Sequence, residues 1–189
     1  MSNGFLEPML GFVTVVVVYV LVFWLQNTFM PETMMLMYLP HGVRCVAFVA
    51  LRFISIPALI VAHLTCYYLV NPFWDMPLLD VLWISITSAL TPALAYICMR
   101  KVGIDPFPRA LQKEVVWQHA LLFFVITTCV NGPLLLSYPM LSSNIPYDAI
   151  DTITSFVIGD FFGVAMVLVS YFAVLNLIRV SRHIAQFRV

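Results

Sequence analysis

The chain has 189 residues, of which 62% are hydrophobic, 14% aromatic and 10% charged, and its mean hydropathy is +0.99. Soluble domains hold about 25% charged and about 45–50% apolar residues, so a soluble enzyme, a DNA-binding domain and a disordered chain are excluded. Nine Lys and Arg balance nine Asp and Glu, which leaves no basic surface for nucleic acid.

A membrane-spanning helix needs about 20 apolar residues. In chain order the apolar runs cover residues 9–26, 79–99, 115–138 and 153–178. The stretch 33–70 is too long for one helix and about right for two. It breaks at Leu51-Arg52-Phe53-Ile54-Ser55-Ile56-Pro57, where a charge precedes a Pro suited to the first turn of a helix. The expected architecture is therefore all-α: one polytopic membrane domain over residues 1–189, with about six transmembrane helices at 9–26, 33–51, 55–70, 79–99, 115–138 and 153–178. The first run lacks a basic flank and a small-residue cleavage site, so it reads as a retained helix rather than a signal peptide.

Charge supports this count. Lys and Arg in short loops collect on the cytoplasmic side. With the N-terminus inside, the outer segments 27–32, 71–78 and 139–152 contain Glu32, Asp75, Asp148 and Asp151 and no base. The inner segments hold Arg52, Arg100, Lys101, Arg109, Lys113, Arg179, Arg182 and Arg188, leaving Arg44 alone within a helix. Five helices with an outer N-terminus satisfy most of these charges too, but force the apolar run Met34–Leu39 into a loop. Six helices with both termini cytoplasmic is the expectation.

Charges at membrane depth cost several kcal/mol and normally face partners inside the bundle. Counted from residues 33 and 153 at ~1.5 Å per residue, Arg44 lies ~16 Å and Asp160 ~10 Å from the same outer face, close enough for an Arg44–Asp160 pair that either bridges helix 2 to helix 6 or acts as a switch. His41, His63 and Asn131 lie in the same outer layer, making these five the candidate ligand-binding or switch residues. Pro40 and Gly42 flank His41, and Gly132-Pro133 follows Asn131; such residues loosen helices and free backbone carbonyls. Gly159 and Gly163 form a GxxxG pair that permits close helix approach. The hydroxyls of Ser85, Thr87, Ser88 and Thr91 are expected to bond to their own helix. Cys45, Cys66, Cys98 and Cys129 read as buried apolar thiols. His41 and His63 could hold a haem axially, but without a cytochrome signature they read as interhelical hydrogen-bonders. No catalytic residue, metal site or cofactor is expected.

Three stretches together resemble the first of the membrane-associated sensor (MASE) domain families. They are Pro40-His41-Gly42-Val43-Arg44 running on to Leu51-Arg52-Phe53-Ile54-Ser55-Ile56-Pro57-Ala58, then residues 85–99 closing on Arg100-Lys101, then the helix carrying Gly159-Asp160-Phe161-Phe162-Gly163. The order and spacing match over about residues 33–178. The resemblance implies a bacterial inner-membrane sensory or ligand-binding module, with Pro40, Gly42, Arg44, Gly159, Asp160 and Gly163 as its motif residues. Members usually feed histidine kinases or diguanylate cyclases, so the expectation here is a stand-alone, non-enzymatic module. Its partners would be the lipid bilayer, a separate membrane or cytoplasmic protein and a small-molecule ligand. The alternatives are the substrate-binding membrane subunit of a nutrient importer and a structural subunit of a larger membrane complex.

Overall fold

The computed structural model describes residues 6–30, 37–70, 77–107, 117–142 and 149–186. They form helices α1 (Leu6–Phe29), α2 (Leu39–Leu51), α3 (Ser55–Thr65, continued by a π-helical turn Cys66–Val70), α4 (Leu78–Lys101), α5 (Trp117–Ser142) and α6 (Ala149–Gln186), with no strand among them. Among the described residues five stretches are long and apolar enough to cross a membrane: Leu6–Phe29, Leu39–Val70, Leu78–Lys101, Gln118–Leu135 and Ile153–Ser170. The chain is an all-helical, multi-pass membrane protein. The acids Glu32, Asp75 and Asp148 and the bases Arg109, Lys113 and Arg188 lie outside the described residues, as do the side chains of Asp151, Arg179 and Arg182.

The stretch Leu39–Val70 folds back on itself. Tyr19 on α1 meets Tyr38, just before α2, through its hydroxyl at 3.4 Å, and His63, near the end of α3, through its ring at 5.4 Å. A straight helix would hold residues 38 and 63 about 37 Å apart. The reversal occurs at Arg52, whose φ of 55° makes it the one non-glycine with positive φ among the described residues. That backbone, with ψ −135°, costs about 1–3 kcal/mol in an L-residue, and four contacts hold it. The guanidinium lies 5.1 Å from the ring centroids of both Tyr96 and Phe107. It donates to the Phe107 carbonyl, while the Arg52 carbonyl accepts from Ser55 Oγ at 2.6 Å. Pro57 then sits in the first turn of α3, where its missing N–H has no helical partner to lose.

One difference from the sequence reading concerns α2. The helix begins at Leu39 rather than residue 33, with Met37 and Tyr38 non-helical and Pro40 in its first turn; residues 33–36 lie outside the described residues. No side chain of its own caps it. Gln26 of α1 does so instead: its Oε1 accepts from Leu39 N–H at 3.0 Å and its Nε2 donates to the Met37 carbonyl.

α1 and α2 run antiparallel, Gly11 facing Leu51 at one end and Gln26 facing Leu39 at the other. α2 packs on α6, α1 on α3, α3 on α4, and α5 on both α4 and α6. One apolar core gathers Val15, Tyr19, Phe23, Leu59 and Ala62. The second gathers Phe48, Met99, Phe107, Phe123 and Phe124. Of the four thiols, Cys45 and Cys66 are buried, whereas Cys98 and Cys129 lie on the outer surface, a departure from the expectation for all four.

The tightest approach joins α2 to α6. The Tyr38 N–H donates to the Gly159 carbonyl at 2.8 Å. A Cβ on Gly163 would overlap the Tyr38 carbonyl, and one on Gly42 would lie 2.6 Å from the Gly163 carbonyl. Gly42 and Gly163 are therefore what lets the two backbones touch.

Candidate functional site

The close α2–α6 contact carries His41 and Arg44 on one side and Asp160 on the other. Asn131 enters the same layer from α5, and Ser88 from α4. All five residues are at most 1% exposed.

Arg44 and Asp160 are joined through a third residue rather than as the expected ion pair. Arg44 Nη1 donates to Asn131 Oδ1 at 3.2 Å, and Asn131 Nδ2 donates to Asp160 Oδ2 at 2.6 Å. A carboxamide suits this position because it offers an acceptor to the guanidinium and a donor to the carboxylate at once. Thr91 Oγ1 also lies 3.4 Å from Asn131 Oδ1. His41 Nδ1 stands 3.5 Å from Asp160 Oδ2, and its Nε2 lies 3.7 Å from Cys45 Sγ.

Arg44 Nη1 makes a second bond, 3.3 Å to the Ser88 carbonyl. Pro92 lies four residues on, inside α4, and having no N–H it leaves that carbonyl without its helical donor. The kink-forming residue thus supplies the guanidinium with an acceptor. The neighbouring hydroxyls satisfy themselves locally: Ser85 on Val81, Thr87 on Trp83 and Thr91 on Thr87, at 2.6–2.8 Å.

His63 is not in this group. Its ring packs on Tyr19, whose hydroxyl reaches Tyr38, and the Tyr38 ring lies 5.7 Å from the Arg44 guanidinium carbon. The belt therefore runs from His63 through two tyrosines to Arg44, Asn131, Asp160 and His41. Sequence reasoning passed over Tyr19, Tyr38 and Gln26, which lie in apolar runs with no charge to mark them. For Ser88, the signal was the Pro four residues downstream.

Several buried atoms of this layer and belt have no hydrogen-bond partner: Arg44 Nε and Nη2, Asp160 Oδ1, His41 Nδ1, His63 Nε2 and Ser88 Oγ. Among the described residues no group of three or more His, Cys, Asp or Glu is arranged to hold a metal ion. Chemically the layer can bind an anion at Arg44, or exchange one hydrogen-bonded arrangement for another. Compared with family models, curated proteins and solved structures, the chain matches none of them.

Proposed function

We propose that this protein is a non-enzymatic sensory or ligand-binding module of a bacterial inner membrane, resembling the first MASE family and acting through a separate partner protein. The observation that carries this reading is the relay Arg44–Asn131–Asp160. It draws on three helices, is fully buried, and keeps unused donors on Arg44 and an unused acceptor on Asp160. Unsatisfied polar atoms at this depth are costly, so two arrangements of the layer can lie close in energy. A small carboxylate taking Arg44 away from Asn131 would shift α2 against α5 and α6, and the partner would read that shift.

The test is purification in mild detergent from native membranes, with mass spectrometry of proteins and small molecules, for wild type, Arg44→Met and Asp160→Asn. The expected result is a signalling protein with all three, and a carboxylate metabolite with wild type and Asp160→Asn but not with Arg44→Met. An ATPase with a bound nutrient would replace this reading with an importer subunit. A large stoichiometric complex unchanged by both variants would make the relay a packing device in a structural subunit.

We also read the chain as six crossings with both ends cytoplasmic. The reversal at Arg52 supports two crossings between residues 39 and 70, and the antiparallel α1–α2 contact puts the start of α1 on the face that holds Arg52. The bases Arg100 and Lys101 at the end of α4 agree with a cytoplasmic face there. Reporter fusions at residues 30, 73, 103 and 145 should read outside, outside, inside and outside; an inside signal at 30 would leave Leu39–Val70 a single crossing and remove the sixth.

A further inference from the structure

At the Arg52 end of the bundle lies a cavity of about 430 Å³ lined by Arg52, Phe53, Tyr96, Arg100, Asp105 and Phe107. It is distinct from the Arg44 layer and owes nothing to the function proposed above. Its volume falls within the about 300–1,000 Å³ of small-ligand sites. Among the described residues its lining includes two guanidiniums and one carboxylate.

The two arginines are prepared differently. Arg52 is 8% exposed, and its guanidinium is held flat by the Tyr96 and Phe107 rings and by its bond to the Phe107 carbonyl. A planar fork fixed in this way loses little freedom when it binds a second group. Arg100 is exposed over half its side chain and pairs with Asp105 Oδ2. Asp105 is itself committed to the turn, its Oδ1 accepting from Phe107 N–H at 3.2 Å. An exposed pair of this kind contributes at most about 1 kcal/mol, so an anion can draw Arg100 inward without unfolding the turn.

Two guanidiniums at one cavity suit an oxyanion. Arginine forks match paired oxygens of phosphate and of carboxylate alike, and Arg52 and Arg100 both line this cavity. The rim beside it is apolar: Phe53 and Ile54 are about half exposed, on the outer side of the reversal. A basic pocket bordered by outward apolar side chains is the arrangement that takes a lipid headgroup while its chains stay in the bilayer.

We propose that this cavity binds the phosphate of an anionic phosphate ester, with Arg52 and Arg100 as donors. Binding brings Arg100 from Asp105 onto the phosphate. Asp105 is then a competitor for Arg100, and its removal strengthens binding.

The experiment uses the full chain in phosphatidylcholine nanodiscs, titrated with phosphatidylglycerol in one arm and inorganic pyrophosphate in the other. Thermal unfolding and native mass spectrometry are the readouts. Saturable protection by phosphatidylglycerol, with about one molecule retained, assigns the site to a lipid; equal protection by pyrophosphate alone assigns it to a free phosphate compound. In either case Arg100→Gln should weaken binding about tenfold, and Asp105→Asn should tighten it about two- to fivefold. Arg52→Gly, which keeps the positive φ, should abolish it. No protection in either arm, or wild-type affinity in Arg100→Gln and Arg52→Gly, overturns the proposal.

Discussion

Pro92 and Arg44 share one carbonyl: Ser88 loses its helical donor to the proline and gains the guanidinium Nη1 at 3.3 Å. Pro92→Ala restores an N–H that competes for that oxygen. In a double-mutant cycle with Arg44→Met, the two sites should couple by about 0.5–3 kcal/mol, read from unfolding in detergent. Strict additivity would show that the carbonyl and the guanidinium are independent.

Asn131 should be the costliest single position of the layer. Asn131→Leu leaves Arg44 and Asp160 buried without the group that joins them, and stability should fall by about 3–5 kcal/mol. Replacing all three, as Arg44→Met, Asn131→Leu and Asp160→Leu, should recover most of it, because a packed apolar set avoids the desolvation penalty. If the module is a sensor, that triple variant folds and no longer responds. A triple variant that still responds would mean that the response does not pass through the layer.

The glycines should rank by what a methyl group meets. Gly163→Ala and Gly42→Ala push on backbone and on Val167, and each should cost about 1–3 kcal/mol. At Gly132 the nearest atom to an added Cβ is Phe156 Cβ at 3.4 Å, an ordinary contact. Gly132→Ala should therefore be neutral or gain up to about 1 kcal/mol from helix propensity. Thermal unfolding of the three variants in one detergent checks the order.

Arg52 tests the reversal of Leu39–Val70 through backbone chemistry. Arg52→Gly and Arg52→Val both lose the guanidinium, but only glycine is at ease at φ 55°. The glycine variant should be the more stable by about 1–3 kcal/mol, the opposite of the usual order for a residue inside a helical stretch. Equal stability would place the turn elsewhere.

How much of this was legible beforehand depends on the kind of signal. Helix existence followed from hydropathy, and the break at Arg52 from a charge and a proline within six residues. Counting rise per residue suggested one layer for His41, His63, Arg44, Asn131 and Asp160, although it started the second helix at residue 33 where α2 begins at Leu39. Rotation about each helix axis was not legible. Lipid and bundle interior are equally apolar, so no amphipathic stripe marks which face of α1 meets α3. Tyr19 and Tyr38 accordingly look like any aromatic in a span, and His63 looks like a neighbour of His41 although it packs on α1. The relay character of Asn131 was also hidden, since two charges at one depth suggest direct contact and say nothing of a group between them.

The bond from Tyr38 N–H to the Gly159 carbonyl ties the backbone ahead of α2 to a helix 38 residues long. It sits one residue from Asp160. Sliding α6 along its axis would act on this bond and on the bond from Asn131 to the Asp160 carboxylate in the same movement. The two contacts are therefore loaded together, and an axial displacement of α6 bears on the backbone ahead of α2 and on the buried charges at once.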